Sequence, residues 1–219
     1  MARIIDVTGP IYTGMWHYGP PYPEIKIEPL PRIPWLKHEV YSDIFVGMGS
    51  QTGTYIETNA HYFKDEKKIS DIPLEKLFMI DAAVLNLPKA KGPKEPIRRE
   101  EIASLKPEIH EGDAILFGSR WGQRWREGNF VRDSPYLTYD TMMWFLDHRP
   151  SILGGDIPVF DNPDNPQGFW EKFFRSGALL MAPLVDLEKV TKQRAKLVAL
   201  PLKVEGTCCV PCRAIIVEE

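Results

Sequence analysis

The chain has 219 residues, of which 43% are hydrophobic, and no shift in composition divides it, so we predict a single domain over residues 1–219. Its 27 basic and 30 acidic residues give a net charge of -3, which argues against a protein that binds nucleic acid through a basic surface. No apolar run approaches the about 20 residues of a membrane helix and no N-terminal stretch resembles a signal peptide, so we expect a cytoplasmic protein without membrane contacts.

The N-terminal part combines a predicted strand with an aromatic loop. Residues 3–7 are mostly apolar and predict a short strand, whereas residues 14–23 mix aromatic residues with proline and glycine. Proline and glycine disfavour a helix or a central strand there. Aromatic side chains on such a loop either cover the edge of the core or line a small-molecule pocket, which makes Trp16 a candidate for substrate contact.

Residues 50–62 are the most informative stretch of the chain. They follow the apolar residues 44–48, which we predict to form a buried strand. If the segment is extended, Tyr55 and Glu57 lie on one face, and His61 can return to that face after a bend. The stretch therefore predicts a phenol, a carboxyl group and a candidate general base near one another.

The middle of the chain contains a loop rich in arginine and tryptophan. Residues 79–87 and 113–118 are apolar runs that predict buried strands, and residues 98–105 between them predict a short amphipathic helix. Residues 119–126 then contain three arginines and two tryptophans. Arg120 and Trp121 are candidates for binding a carboxylate or a flat anionic substrate. A subunit interface is the alternative, because both residue types are enriched at interfaces.

The C-terminal half predicts further strands and helices, with three cysteines near its end. Helices are predicted from Ser134-Pro135 onward and over residues 169–176, and strands over 179–187, 197–204 and 214–217. Cys208, Cys209 and Cys212 lie within five positions, and without a signal peptide we expect them to be free thiols. Ordinary packing, metal ligation and a nucleophilic role all remain open for them.

These patterns together resemble the cyclase family, which includes bacterial kynurenine formamidases and isatin hydrolases. The family signature is His-x-Gly-Thr-His-x-Asp-x-Pro-x-His, and the frame here is Gln51-x-Gly53-Thr54-Tyr55-x-Glu57-x-Asn59-x-His61. Residues 112–117, 155–161 and 206–214 are similar to three further family segments. The resemblance implies an α/β fold with a mixed central sheet and flanking helices, in the swivelling β/α/β architecture. It also implies a homodimer or homotetramer that acts on a small molecule.

The resemblance places five changed residues at the positions of the family's metal ligands: Gln51, Tyr55, Glu57, Trp170 and Ala182. Only Glu57 is an ordinary ligand for a hard divalent ion, and a catalytic zinc normally has three protein ligands. We therefore expect the dinuclear centre to be absent, with at most one zinc or manganese ion at Glu57 and His61. Trp170 and Tyr55 would fill the freed space as substrate-binding groups. The resemblance also places Cys208 and Cys209 near His61, where a thiolate would form a Cys-His pair.

The expected function is that of a family hydrolase. It would open an amide, formamide or lactam bond in a small aromatic or carboxylated substrate, with His61 as general acid/base and Glu57 as the group that orients it. One alternative is a metal-independent cyclase or dehydratase-type enzyme that uses His61, Glu57 and a cysteine. A second alternative is a catalytically inactive protein that retains an aromatic binding pocket.

Overall fold

The computed structural model describes residues 2–219. The strands within them are β1 (Arg3–Asp6), β2 (Lys26–Pro29), β3 (Asp43–Val46), β4 (Tyr55–Glu57), β5 (Ile80–Asn86), β6 (Pro96–Ile97), β7 (Ala114–Gly118), β8 (Tyr136–Leu137), β9 (Ile152–Gly155), β10 (Leu179–Ala182), β11 (Arg194–Pro201) and β12 (Cys209–Glu218). The α-helices are α1 (Arg99–Ala103), α2 (Tyr139–Asp147) and α3 (Trp170–Arg175).

Eight of the strands among residues 2–219 form one mixed sheet, in the order β1-β12-β11-β5-β7-β9-β10-β4. The neighbours β5, β7, β9 and β10 are parallel, and the remaining pairs are antiparallel. Strand β4 pairs with β12 as well as with β10, so seven strands close into a ring. The mixed sheet agrees with the sequence-based prediction, whereas the closure of the sheet was not predicted.

The two faces of the ring bury different side chains. Along β5, Ala82 and Val84 belong to one apolar cluster and Ala83 and Leu85 to the other, as the alternation of a strand requires. The first cluster draws residues from every strand of the sheet and therefore fills the interior of the ring; it includes Ile5, Ile56, Leu116, Ile152, Met181, Leu197, Val210 and Cys212. The second lies outside the ring and includes side chains of the three helices. Because both faces are covered, the central strands are continuous apolar runs.

The helices are few and short in the part of the chain that the structure describes. They contain five, nine and six residues, so they cover one outer region of the ring and do not form full layers. Helix α2 begins after Thr138, whose hydroxyl accepts a hydrogen bond from the backbone N–H of Thr141, and not at Ser134-Pro135 as predicted. No helix among residues 2–219 has both the length and the hydropathy of a membrane-spanning segment.

The prediction of a buried strand over residues 44–48 was wrong about burial. Among residues 2–219, strand β3 pairs only with β2, outside the main sheet, and Ile44, Phe45 and Val46 are exposed. A short apolar run does not by itself show whether a strand joins the core or an outlying hairpin. The strand predicted over residues 179–187 ends earlier, at Ala182, since Pro183 has no N–H for the ladder.

Close packing between β7 and β9, on the outer face of the ring, requires a glycine at position 155. A Cβ atom at this position would lie 2.3 Å from Cζ of Phe117, whose buried ring is held between Phe145 and Phe160. We expect Gly155→Ala to lower the free energy of unfolding by about 1–3 kcal/mol, because the ring has no free space to move into. Urea denaturation of the two proteins measures this difference.

Gly128→Ala is the matched control for Gly155→Ala. Gly128 is exposed, and an added Cβ would meet no atom within 4 Å. We expect its free energy of unfolding to change by less than about 0.5 kcal/mol. Equal stability of both variants would contradict the packing assigned to Phe117.

Candidate functional site

A cavity of about 300 Å³ lies on the outer face of the ring, between β4, β10, α3 and the loop that follows β9. Aromatic and apolar groups form most of its wall, and a few polar groups lie at one end. The lining residues are Tyr18, Gln51, Tyr55, Glu57, His61, Tyr62, Pro158, Val159, Phe160, Trp170, Phe174 and Leu180. A concave apolar site with a small number of convergent polar groups is typical of small-molecule binding.

Stacked rings form the aromatic wall of the cavity. Trp170 and Phe174 lie one turn apart on α3, which places them on the same face of the helix. Their ring centroids are 5.7 Å apart at an interplanar angle of 24°. Tyr62 stacks on Phe174, with the planes 19° apart, and Phe160 lies nearly parallel to Trp170. These parallel planes suit a flat ligand.

Glu57 is the buried carboxyl group at the polar end. Strand β4 places it against β10 and β12, and Gln51 Nε2 donates a hydrogen bond to its Oε2 at 2.9 Å. Gln51 Oε1 in turn accepts from the hydroxyl of Tyr22 at 2.9 Å. Burial raises the pKa of Glu57 to about 8, although the hydrogen bond from Gln51 opposes this shift.

His61 lies beside Glu57, on the short 3₁₀ turn that follows β4. The turn is capped by Thr58, whose hydroxyl accepts from the backbone N–H of Ala60, and it brings His61 back to the face of Glu57. Nδ1 of His61 is 3.5 Å from Oε2 of Glu57. Burial lowers the pKa of His61. The distance alone is typical of an ion pair, but burial favours the neutral forms of both Glu57 and His61. At neutral pH the pair is therefore a carboxylic acid next to a neutral imidazole.

Two thiols complete the polar end behind His61. Sγ of Cys208 lies 3.6 Å from Nδ1 of His61 and 3.8 Å from Sγ of Cys209. Cys209 is buried and donates to the hydroxyl of Ser50 at 3.2 Å. Burial raises the pKa of the Cys209 thiol. The structure thus brings together one imidazole, two thiols and one carboxyl group from β4, its following turn and the start of β12.

Phenolic hydroxyls connect the N-terminal loop to the cavity. The hydroxyls of Tyr18 and Tyr55 are 3.2 Å apart, and Tyr18 donates to the backbone carbonyl of Pro158 at 3.1 Å. Burial raises the pKa of both phenols, so they act as neutral hydrogen-bonding groups. The loop therefore closes one side of the cavity through Tyr18.

Several residues proposed from the sequence lie elsewhere. Trp16 does not line the cavity; its ring centroid lies 5.0 Å from that of Trp125 and 5.7 Å from that of the cavity residue Tyr18. Arg120 is exposed, and Trp121 is buried in the core, where its indole N–H donates to the carbonyl of Phe130 at 3.0 Å. The structure does not bring Arg120 and Trp121 to the cavity. Within residues 2–219, no lysine or arginine lines it.

Asp156 fixes the loop that contains Arg120 and Trp121. Its buried carboxyl group accepts from the backbone N–H and the hydroxyl of Ser119, at 2.9 and 2.7 Å. The backbone N–H of Gly122 approaches the same group at 3.5 Å. Asp156 therefore has a structural role at the end of β9, and it does not line the cavity.

A comparison with known families adds to this geometry. The family model described as "Putative cyclase" matches residues 5–162 of the chain. The chain belongs to the cyclase family. A kynurenine formamidase of Bacillus cereus is 26% identical over 188 residues, which cover 84% of this chain and 85% of that protein. A kynurenine formamidase of Salinibacter ruber is 28% identical over 178 residues, covering 77% and 76%.

Solved structures share the fold of this chain. Isatin hydrolase A from Ralstonia solanacearum superposes with a TM-score of 0.82, at 20% identity, over 100% of this chain and 92% of that one. This likeness extends along the whole chain, including the C-terminal strands that the family match does not reach. It supports the fold, and the chemistry of the site depends on the side chains present here.

The side chains present here do not fit the family's dinuclear metal centre. Tyr55 and Ala182 face each other across the pairing of β4 with β10, and Ala182 offers no ligand atom. The phenol of Tyr55 is engaged by Tyr18, and Trp170 stacks in the aromatic wall. Gln51 donates an N–H of its side-chain amide to Glu57. The cyclase-family reaction in this chain therefore cannot depend on the family's own set of ligands.

Sequence reasoning missed most of the aromatic wall. Tyr18, Tyr62, Phe160 and Phe174 were not singled out, although Phe174 follows Trp170 by four positions on a predicted helix. That spacing was the available signal for Phe174. For Phe160 no local pattern distinguishes a cavity wall from a core position.

The buried carboxyl group of Asp156 predicts a pH dependence of stability. Burial raises its pKa to about 6 from 3.8, so between these values the folded chain binds more protons than the unfolded chain. The stabilisation is present below pH 4 and is lost as the pH rises through about 6. We expect it to amount to at most about 3 kcal/mol.

Denaturation of the wild type and Asp156→Asn at several pH values measures this effect, because other groups titrate equally in both. The stability of the wild type relative to the variant should fall between pH 4 and 6. A constant difference would contradict the raised pKa of Asp156.

Proposed function

We propose that this cyclase-family chain is an amide hydrolase that opens an amide, formamide or lactam C–N bond in a small, uncharged aromatic compound. The cavity is the observation that supports this most directly. Its stacked aromatic wall leads to a polar end where Glu57 and His61 lie 3.5 Å apart. The names of the relatives point to the same class of bond, since they are kynurenine formamidases and isatin hydrolases.

The charge of the cavity favours an uncharged substrate. A carboxylated substrate was also expected from the sequence, with Arg120 as its partner. Among residues 2–219 no lysine or arginine reaches the cavity, and a carboxylate buried beside Glu57 would lack a compensating charge. The phenols of Tyr18 and Tyr55 are neutral, and Gln51 Nε2 has a second N–H besides the one donated to Glu57, which suits a carbonyl or ring-nitrogen group.

The polar end supplies the proton transfers of hydrolysis. Water adds to the carbonyl carbon, the C–N bond breaks, and the leaving nitrogen takes a proton. We assign the uptake of the proton from water to the neutral imidazole of His61, and its delivery to the nitrogen to the carboxyl group of Glu57. Gln51 holds that carboxyl group in place through a 2.9 Å hydrogen bond.

We also propose that the fold is a variant of the swivelling β/α/β architecture and that the chain forms a homodimer or homotetramer. Support for assembly comes from the hairpin of β2 and β3 and the residues between them. Trp35, Tyr41 and Phe45 are 81%, 91% and 62% exposed there. Exposed apolar side chains at this density mark interaction surfaces on soluble domains.

Substrate charge provides the first test of the proposal. We expect hydrolysis of isatin, an uncharged aromatic lactam, with kcat/KM at least about tenfold above that for N-formylkynurenine, which carries an ammonium and a carboxylate group. Absorbance assays under identical conditions measure both rates. Equal or faster turnover of the charged compound would show that the cavity accepts a carboxylate. Binding of either compound without turnover would favour an inactive binding protein.

Variants of the polar end provide the second test. His61→Ala and Glu57→Gln should each lower kcat by about 10²-fold or more, because each removes a proton-transfer group. His110→Ala is the matched control, since His110 is exposed and does not line the cavity. Full activity in His61→Ala, with the control also unchanged, would remove His61 from the mechanism.

A further inference from the structure

We propose that Cys208, Cys209 and His61 bind one thiophilic divalent ion of the zinc type at the polar end of the cavity. The ligands differ from the residues at the family's metal positions, and one of those positions, Glu57, lies beside the site, 3.5 Å from Nδ1 of His61. The inference goes beyond the proposed hydrolysis, because it concerns binding of an ion and requires no substrate.

The distances between the ligand atoms match the edges of a tetrahedral site. With a Zn–S bond of about 2.3 Å and a Zn–N bond of about 2.0–2.1 Å, two sulfurs are about 3.8 Å apart, and sulfur and nitrogen are about 3.5–3.6 Å apart. Sγ of Cys208 lies 3.8 Å from Sγ of Cys209 and 3.6 Å from Nδ1 of His61. All three ligand atoms lie within 4.8 Å of one another, so the third edge closes by rotation of side chains.

The backbone holds the three residues in this arrangement. Cys209 lies directly opposite Glu57 in the pairing of β12 with β4. The backbone N–H of Thr58 donates to the carbonyl of Cys208 at 2.9 Å. Thr58 also caps the turn that contains His61. The strand pairing and the turn therefore position all three ligands, so little ordering remains to be done when an ion binds.

Of the three proposed ligands, His61 lines the cavity, so a fourth coordination position would lie toward it. His61 and Glu57 line the cavity, whereas the two cysteines lie behind them. Oε2 of Glu57 is 3.5 Å from the ligating nitrogen of His61 and already accepts from Gln51, so we place Glu57 beside the open position and outside the ligand set. Three protein ligands with one open position are the pattern of catalytic zinc sites, and two cysteines with one histidine are one of its known ligand sets.

Ligation would divide the roles of His61. Nδ1 would face the ion, and only Nε2 and the neighbouring Glu57 would remain for proton transfer. A bound ion at this position would also be a Lewis acid within reach of a carbonyl group in the cavity. The choice of zinc follows from the ligand set, because thiolate and imidazole ligands select borderline-soft ions over magnesium or calcium.

Cobalt spectroscopy tests the site directly. The full chain, purified without a histidine tag, is stripped with a chelator, kept reduced and titrated with Co²⁺, after a thiol assay has confirmed that its three cysteines are free. We expect one Co²⁺ per chain, a thiolate-to-cobalt charge-transfer band in the near ultraviolet and the intense visible bands of tetrahedral cobalt. Added Zn²⁺ should abolish them.

The third cysteine provides the matched control. Cys212 lies on the same strand but points into the ring. Cys208→Ser, Cys209→Ser and His61→Ala should each weaken binding of Co²⁺ by at least about tenfold, and the two serine variants should lose charge-transfer intensity. Cys212→Ser and Glu57→Gln should retain the bands. Failure of the wild type to show a thiolate band, or an equal band in Cys208→Ser, would overturn the proposal.

A measurement on the wild-type protein tests the metal site without relying on the folding of any variant. Saturating Zn²⁺ should slow the alkylation of Cys208 by iodoacetamide at least about tenfold, as followed by mass spectrometry of the peptide that contains it. An unchanged rate would overturn the site. Neither readout uses a substrate, so a failure of the metal site is distinguishable from a failure of the hydrolase assignment.

Discussion

The double pairing of β4 is the constraint on which the rest of the structure depends. This strand has only three residues, yet it pairs with β10 along one edge and with β12 along the other, and so closes the ring. Thr54, immediately before it, donates to the carbonyl of Pro183 and accepts from the backbone N–H of Gly9. Pairing with β10, pairing with β12 and the hydrogen bonds of Thr54 therefore fix the position of β4. The same contacts hold the side chains at the polar end of the cavity in place.

Because β4 lies between two strands, Tyr55, Ile56 and Glu57 are buried. The residues that differ from the family's ligands suit this burial. A buried carboxylate is costly unless it is paired, and the partner here is the neutral amide of Gln51. The outcome is a neutral Glu57 beside a neutral His61. Opposite Tyr55, a small Ala182 leaves room for the larger ring. The residues that replace the family's ligands thus form a consistent neutral site.

Sequence patterns were sufficient for β5, β7 and β10 of the parallel region and for the residues of the 50–62 stretch, but they did not reveal β9. Strands such as β5 and β7 are buried on both faces, so their continuous apolar runs are unambiguous. The frame of Tyr55, Glu57 and His61 identified residues that the structure does bring to one cavity. The ring closure was beyond this reasoning, because the pairing of residues 55–57 with residues 209–211 joins segments about 150 positions apart without any local pattern.

Arg120 and Trp121 show the opposite limit. Arginine and tryptophan at the end of a strand suit a binding loop and a buried turn equally well, and composition cannot choose between them. Asp156, which follows the unpredicted strand β9, accepts hydrogen bonds from Ser119 and so holds the loop in which Trp121 enters the core. The type of a residue predicts which groups it can bind. Its contacts with neighbouring elements determine where its side chain lies.

Strand β4 also explains how a cyclase-family chain can lose one set of ligands without losing a polar centre. Positions 55 and 182 lie across the pairing of β4 with β10, and here they contain a phenol and a methyl group. Position 57 faces Cys209 across the pairing of β4 with β12, and Cys208 and His61 lie next to it. Both groups of residues border the same stretch of three residues, so a change of polar residues around β4 leaves the cavity and its aromatic wall in place. The scaffold thereby separates the aromatic wall, to which α3 contributes Trp170 and Phe174, from the polar groups at its end, which β4 and its neighbours position.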